Sequence, residues 1–241
     1  MSKFRKILII SLCGLTFIFS TLFNMPAWLM GSLIERYSNA KISLVNEQGK
    51  FWNGSGLLIA QNLENRTTMP LLEVNWKIKL GLTKFLQINL TSAGDPVAEI
   101  DLTKTGISIN QLNLAVSLDQ ISPFLGNLNS LNLSGNLKLT ANNLHLAKQN
   151  QGTIQATLTE VGSGMSPVNP FGNYDISLDL ATLAITVASQ PNSVIIINSS
   201  GNLNSLILNL KVQADKKEQL LQFMTMMGMP QADGSYQMKV F

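Results

Sequence analysis

Two pairs of acidic residues have the spacing that acid–base chemistry requires. Glu99 and Asp101 are two positions apart in an alternating segment, so on a strand both carboxyls would share one face about 7 Å apart. Asp175 and Asp179 would share a face at about 13 Å. Carboxyl pairs act as acid and base in glycoside hydrolysis, but solvated strand faces also carry such residues. We interpret both pairs as surface residues, and an enzyme acting on envelope polymers through Glu99 and Asp101 is the least favoured hypothesis.

The sequence offers little else for catalysis or metal binding. It contains one histidine and one cysteine, which excludes a zinc site of the usual composition and a disulfide within the chain. His145 stands between Leu144 and Leu146, a spacing that predicts a half-exposed position on the polar face of a strand. Cys13 lies within an apolar run and is interpreted as a small apolar filler. We predict that the protein is not an enzyme and has no metal or other cofactor.

The charge pattern argues against nucleic acid as a partner. The net charge is +3, and Lys3, Arg5 and Lys6 account for all of it. The rest of the chain has equal numbers of basic and acidic residues and no basic stripe that could follow a phosphate backbone. Charged residues make up only 13% of the chain, and Asn, Ser, Thr and Gln take their place. This polar chemistry is typical of sheet faces and turns.

The amino-terminal residues are typical of a membrane anchor. Behind the basic residues 1–6, the segment Ile7–Phe23 has 17 residues without a charge, at the lower end of the range of about 17 to 25 for a spanning helix. Apolar character continues to Met30. We therefore predict a single-pass anchor over 7–30 in the bacterial inner membrane, with residues 1–6 in the cytoplasm and a periplasmic β domain over 31–241.

The alternative for these residues is a cleaved secretory signal, because the apolar run is short. Cleavage requires small residues at two positions before the cut. The nearest candidate, Met25-Pro26-Ala27, has a large residue at the first of these positions and a proline between them. We favour an anchor that is not cleaved.

Most of the remaining chain alternates between apolar and polar residues, which predicts about 12 strands. The apolar positions with period 2 lie in Leu72–Leu80, Leu86–Leu90, Leu112–Leu118, Leu131–Leu139, Ile154–Leu158, Tyr174–Leu180, Leu206–Ala214 and Tyr236–Val240. The alternation changes phase in Ile109–Leu112, Leu139–Leu144 and Leu180–Leu183, and each change predicts a bulge or a turn. Asn142-Asn143 would suit a turn.

Other segments predict helices and loops. A helix is indicated from Pro26 over PAWLMGSLIERYS, as a possible outward extension of the anchor. A second helix is predicted over Lys216–Met227, capped by Asp215, packed through Leu220, Leu221, Met224 and Met227, and ended by Gly228. A short helical turn is indicated around Asp119. The segment Gly162–Gly172 reads as a loop that could divide the sheet into two halves.

The predicted fold is mainly β. Two helices cannot cover the apolar face of so many strands, so the leucines must face one another. We predict an N-terminal transmembrane helix followed by a large curled antiparallel sheet, as a sandwich, an open barrel or a groove, with one or two short helices. Alternation with period 2 does not distinguish a closed core from a lined groove.

The aromatic residues of QGKFWNGSG are the most informative of the chain. Trp52 could anchor a partner. We favour a core tryptophan, with Gly54 allowing a close approach of the backbone.

Several short motifs, in order over almost the whole chain, resemble the type II secretion system protein N family, also called general secretion pathway protein N. After the membrane helix and Pro26-Ala27, the matching positions are Gly49, Trp52 and Gly54, then Trp76 in Val74-Asn-Trp76, then Gly172 and Tyr174 after Pro170, and finally Gly228 and Asp233-Gly234-Ser-Tyr236. Gly135-Asn-Leu137 matches a strand midway, while the family's leucine before Gly228 is Met227 here.

The resemblance implies an accessory component of a type II protein secretion system, with its β domain in the periplasm. It implies contacts with the lipid bilayer and with other secretion-system proteins, and it brings no catalytic residues. The alternative from the residues is an AsmA/TamB-like envelope protein, whose leucine-lined sheet forms an apolar groove that carries lipid.

Overall fold

The computed structural model of the chain describes residues 3–62, 67–81, 84–121 and 126–240. Within these ranges, side chains are not described for residues 3–10, 62 and 126–127. The fold is mainly β, with antiparallel pairing between neighbouring strands, as the alternation predicts.

The helices and strands follow one another in a simple order. Four α-helices are present in the described part of the chain: α1 (Lys3–Phe23), α2 (Trp28–Tyr37), α3 (Leu118–Ile121) and α4 (Lys217–Met227). The strands are β1 (Ile42–Lys50), β2 (Asn53–Asn62), β3 (Thr67–Leu80), β4 (Leu86–Ser92), β5 (Asp95–Leu102), β6 (Ile107–Ser117), β7 (Leu133–Leu146), β8 (Thr153–Ser163), β9 (Gly172–Asp179), β10 (Ala184–Ser189), β11 (Ile195–Asn202), β12 (Ile207–Val212), β13 (Met229–Pro230) and β14 (Tyr236–Lys239). Short 3-10 turns occupy Gly126–Leu131 and Ala214–Lys216.

The chain divides into two compact units. The first contains Met1–Lys79 with Leu90–Gly94, and the second contains Leu80–Asn89 with Asp95–Phe241. In the first unit, β1, β2 and β3 form an antiparallel meander. Helix α2 approaches β1 through the buried Gly31, where a side chain would collide with the Glu47 carboxylate. The first helix predicted after the anchor is therefore confirmed, but a turn at residues 24–27 separates it from α1.

The second unit holds the larger core. Its strands pair with their neighbours in the order β5-β6-β7-β8-β9-β10-β11-β12-β14-β13, and among the described residues β5 and β13 do not pair with each other. The core is centred on Ile195, Leu210, Leu220, Phe223 and Met224, all at most 2% exposed. The apolar side of α4 covers this part of the sheet, so a helix does lie against some of the predicted apolar strand faces.

The predicted phase changes have different structural causes. Between β5 and β6 the register shifts around Asn110, because Glu99 pairs with Gln111 while Ile100 pairs with Ile109. Asn143 has a positive φ of 55° but lies inside β7, so the predicted turn at Asn142-Asn143 is wrong and the strand continues through it. The third change falls in a turn between β9 and β10, as predicted.

The loop predicted over Gly162–Gly172 is shorter than expected and does not divide the sheet. Strand β8 continues to Ser163 and β9 begins at Gly172, and the two strands pair antiparallel along their length. The connection is an ordinary hairpin loop, which Asn169 stabilises by accepting a hydrogen bond from the Ser163 amide at 2.8 Å. Composition alone could not reveal that the flanking strands are partners.

The C-terminal helix is confirmed with two corrections. A 3-10 turn contains Asp215, and the N-cap position of α4 is Lys216 without a side-chain cap, so Asp215 is not the cap. Phe223 packs inward with Leu220 and Met224, whereas Leu221 is exposed, because adjacent helix positions differ by about 100°. The helix ends before Gly228, as predicted.

No helix among the residues that the structure describes has the length and apolar character needed to cross a membrane. The division into residues 1–6, 7–30 and 31–241 stays a prediction.

The two methionines of α4 differ sharply in burial, which gives a matched stability test. Met224 is 0% exposed and Met226 is 49% exposed. We expect Met224→Ala to lower the free energy of unfolding by about 2–5 kcal/mol, because it leaves a cavity in the core. Met226→Ala should change it by less than about 0.5 kcal/mol. Urea unfolding followed by far-ultraviolet circular dichroism measures both, and equal effects would contradict the core described above.

Candidate functional site

The first group of family-motif residues surrounds the turn between β1 and β2. The Trp52 indole N–H donates to the Leu22 carbonyl at 2.6 Å, and the Phe51 amide donates to the Met25 carbonyl at 2.8 Å. Lys50 Nζ donates to Asn24 Oδ1 at 2.7 Å. The last carbonyls of a helix lack partners within the helix, and this turn supplies one for α1.

The same turn is tied to β3 on its other side. Trp76, 2% exposed, donates its indole N–H to the Phe51 carbonyl at 2.8 Å. The Ile78 amide donates to the Trp52 carbonyl at 2.7 Å. Gly54 lies directly against Trp76, so that a Cβ there would meet the ring atom Cζ2 at 2.5 Å. The predicted close approach of the backbone at Gly54 is confirmed. The prediction that Trp52 is a core tryptophan is wrong, because Trp52 is half-buried and the buried tryptophan beside Gly54 is Trp76.

Gly49 also belongs to this group. It lies near the end of β1 with a φ of 89°, paired with Gly54 across the hairpin. The sequence could not show the partners of this turn, because Leu22, Asn24 and Met25 precede it by more than twenty positions.

The second group lies in the core of the second unit. Tyr174 is buried, and its hydroxyl donates to the Ile195 carbonyl at 2.9 Å. Burial raises the pKa of the Tyr174 hydroxyl well above its usual value, so it stays a protonated donor. Gly172 packs against Ser193, which receives a hydrogen bond from the Asn173 amide at 3.0 Å. These contacts hold β9 against β11 and the residues just before it. We therefore interpret Gly172 and Tyr174 as structural residues.

The third group closes the C-terminal hairpin. Asp233 Oδ1 accepts hydrogen bonds from the hydroxyl and the amide of Ser235 at 2.5 and 3.0 Å, and these bonds lower the pKa of its carboxyl. Gly234 occupies the turn with a φ of 79°. Tyr236 is buried in the core, and Gly228 packs against the backbone of Gln237. The motif thus fixes the strand that follows α4.

Of the acidic pair of β5, Asp101 is buried and Glu99 is half-buried. Asp101 is 2% exposed, and its Oδ2 lies 2.5 Å from Lys84 Nζ and 2.7 Å from Asn110 Nδ2. Burial raises the pKa of the Asp101 carboxyl, but the hydrogen bonds from Lys84 and Asn110 outweigh it, so the net pKa lies below its usual value. The interpretation of Asp101 as a surface residue is wrong. Asn110 lies at the register shift between β5 and β6, and its side chain packs on the Asp101 carboxylate and donates a hydrogen bond to it.

Glu99 completes this polar cluster. Its Oε1 accepts hydrogen bonds from Gln87 Nε2 at 2.8 Å and from Asn110 Nδ2 at 3.2 Å. The two carboxylates therefore share one face, as predicted, and Asn110 bridges them. Asp101 Oδ1 is buried and has no hydrogen-bond partner within the described structure. Lys84 and Asn110 carry no sequence signal that links them to Asp101.

The remaining candidates have structural partners. Asp179 accepts hydrogen bonds from the amide and hydroxyl of Thr182, both at 2.8 Å, which lower the pKa of its carboxyl and hold the turn after β9. Asp175 accepts from Thr157 and Gln190, so the two carboxylates serve different neighbours. His145 is half-exposed, as predicted, with Nδ1 3.0 Å from the Ser108 hydroxyl. No cluster suited to a metal ion is found among the described residues.

A row of half-exposed apolar side chains crosses β6, β7 and β8. Leu114 pairs with Leu139, and Leu139 pairs with Ala156. Leu112 and Ile154 lie on either side of Ala141 in the next row. All but the buried Ala141 are of intermediate exposure, whereas the corresponding positions Ile185 and Val187 of β10 are buried. The apolar face is thus well covered near α4 and less covered on these strands.

Comparison with known families identifies the chain. A sequence model described as type II secretion system (T2SS), protein N, matches residues 40–239, which cover β1 to β14 and α3 to α4. The chain belongs to this family, and the resemblance carried by its glycine and aromatic motifs is confirmed. Searches of curated proteins and of solved structures give no significant match.

The contact between Gly54 and Trp76 predicts a strong effect of a single methyl group. Gly54→Ala would place its Cβ 2.5 Å from both Trp76 Cζ2 and the Gln48 carbonyl. We expect a loss of about 1–3 kcal/mol in the free energy of unfolding through overpacking. Gly164→Ala is the matched control, because the nearest atom to its Cβ is 3.8 Å away. Denaturant titration checks both, and a neutral Gly54→Ala would contradict the packing.

The Asp101 cluster predicts a pH-dependent stability. Because its folded pKa is lowered, the stabilisation is fully present above the unfolded value of about 3.9 and is lost as the pH falls through the folded pKa. Asp101→Asn should lower the free energy of unfolding by on the order of 1–3 kcal/mol at neutral pH. The difference from the wild type should shrink in acid. Urea unfolding across pH 3–7 tests this, and a constant difference would refute it.

Proposed function

We propose that this protein N family member is an accessory component of type II secretion that is anchored in the bacterial inner membrane. In this proposal its β units lie in the periplasm and act by contacts with other proteins of the apparatus. The family match over residues 40–239 is the observation that carries the proposal.

Helix α1 supports the anchor. Its side chains from Leu12 to Phe23 include seven large apolar residues that are more than 40% exposed, namely Leu12, Leu15, Phe17, Ile18, Phe19, Leu22 and Phe23. In water such a surface is unfavourable, whereas in a bilayer it costs nothing to expose it to lipid. The basic residues at the start of α1 favour a cytoplasmic position for that end.

The hydrogen bonds that the acidic side chains accept within the fold support a function without catalysis. Glu99, Asp101, Asp175, Asp179 and Asp233 all bind donors within the fold. A general acid or base must reach a substrate proton, and these carboxylates are held by backbone and side-chain donors that fix turns and strands.

The surface around α4 suits a protein partner. Leu221, Met226 and Met229 are between 49% and 76% exposed. A shallow groove beside them is lined by Ile207, Met227 and Met238. Exposed apolar surface of this kind marks interaction sites, and methionine adapts to a partner's shape. We assign this surface to another secretion-system protein.

A second candidate function is lipid binding, as in the AsmA/TamB-like class. The half-exposed row of Leu114 and Leu139, with Leu112 and Ile154 beside it, favours it. A face of this kind could receive an acyl chain, because apolar contact is non-directional.

Secretion by a host strain lacking the gene tests the first candidate. Full-length protein should restore the release of a type II exported enzyme into the medium, and a chain without residues 1–23 should not. Met226→Ser with Met229→Ser should lower secretion without lowering protein abundance. Glu99→Gln should leave secretion unchanged, and it is a cleaner probe of acid chemistry than Asp101, whose burial ties it to stability. Normal secretion in the deletion strain would overturn the proposal.

Native mass spectrometry tests the second candidate. Purified full-length protein should carry bound phospholipid if the leucine row is a lipid site, and Leu114→Asn with Leu139→Asn should abolish the bound mass. Leu221→Asn, which lies on the exposed side of α4, is the matched control. Lipid-free wild-type protein, or lipid retained by the double variant, would exclude this site.

A further inference from the structure

Four aromatic residues lie close to the end of α1, either along the chain or through hydrogen bonds to it. Phe23 is 58% exposed and Trp28, at the start of α2, is 57% exposed. Phe51 and Trp52 are half-buried in the β1–β2 turn, where their rings meet edge to face with centroids 5.2 Å apart. We call these four residues the aromatic collar. Tryptophan is enriched where one end of the ring is apolar and the other is wet, as at a membrane surface.

Lysines accompany the collar on the strands. Lys50 and Lys77 both pair with Asn53, one on each side of it, so that the three residues form a row across β1, β2 and β3. Lys79 follows two positions later on β3. The segments 48–56 and 74–81, which surround this row, contain no aspartate or glutamate. This end of the first unit therefore combines aromatic rings with positive charge.

The collar is fixed to the helix by hydrogen bonds. Trp52 donates to the Leu22 carbonyl, Phe51 donates to the Met25 carbonyl, and Lys50 donates to Asn24. The β1–β2 turn is consequently held to the end of α1 and the residues after it by several hydrogen bonds. Any surface that surrounds the end of α1 must also meet these aromatic and basic side chains.

We propose that the collar and its lysines form a contact with the headgroup region of a bilayer that contains anionic lipid. The inference rests on the proposed membrane anchor and deepens it, because it names the residues of the β unit that touch the membrane. The rings lie at the boundary between headgroups and acyl chains, and Lys50, Lys77 and Lys79 meet the anionic headgroups. The bilayer surface, rather than a protein, is the partner because the collar is continuous with the anchor helix.

The geometry also gives Trp52 a positioning role. Its ring faces the boundary while its N–H holds the last turn of α1. The orientation of the first unit to the membrane is therefore set by the same residue that contacts lipid. A flexible linker in this place would leave the orientation free.

Depth-dependent quenching of tryptophan fluorescence tests the contact. Full-length protein is reconstituted into vesicles of phosphatidylcholine and phosphatidylglycerol, with lipids brominated either near the headgroup or near the chain ends. Interfacial side chains lie about 5–10 Å into the boundary, so we expect shallow bromines to quench at least about twofold more strongly than deep ones. The chain has three tryptophans, and the third, Trp76, is buried in protein.

Variants assign the signal to the collar. Trp28→Phe with Trp52→Phe should remove most of the quenched emission and leave Trp76 unquenched. Lys50→Gln with Lys77→Gln and Lys79→Gln should reduce the shallow quenching, and vesicles of phosphatidylcholine alone should reduce it in the wild type. Lys148→Gln, an exposed lysine far along the chain, is the matched control. Circular dichroism checks that each variant is folded.

The outcomes separate this inference from the proposed function. If alkaline extraction releases the wild-type protein from the vesicles, the anchor itself fails. If the protein resists extraction but its emission is quenched equally by shallow and deep bromines, or not at all, the anchor stands and the collar is refuted. The wild-type measurement decides this even if a variant does not fold.

Discussion

The antiparallel pairing of strands that mostly follow one another in the sequence is the constraint on which the structure depends. Antiparallel hairpins place residues of one face in rows, and the rows are apolar because the sequence alternates with period 2. One such row runs from Leu114 through Leu139 and Ala156 to Ile176 and Val187. A slip of one position would bring polar residues into the row, so the register is strongly specified.

Much of this architecture could be predicted because the signals are local. Alternation predicted the strands, and glycine after an apolar helical run predicted the end of α4. The failures lie where a distant contact decides. Asn142-Asn143 has turn chemistry, but β6 pairs on both sides of it and the strand continues. The segment Gly162–Gly172 has eleven residues of irregular composition, yet the strands that flank the loop within it are partners, which no local pattern reveals.

The candidate sites show the same division. The family motifs indicated which glycines and aromatic residues matter, and the structure shows that most of them fix turns and close approaches. Their partners could not be predicted. Asp101 became buried because the extra residue Asn110 and the Lys84 side chain converge on it, and neither stands in a recognisable spacing to it. The prediction of Trp52 as a core residue failed for the same reason, because its indole N–H donates to the Leu22 carbonyl of a helix far away in the sequence.

The short strand β13 has a consequence for the behaviour of the free protein. An open sheet presents unpaired backbone groups at its last strand, and these invite a second molecule to continue it. Here the Gln231 amide donates inward to the Ser235 carbonyl, so the nitrogen of the preceding residue, Pro230, faces outward. A proline nitrogen has no hydrogen to offer. The last strand thus lacks a donor where stacking of one copy on another would begin, and this edge resists growth into fibres.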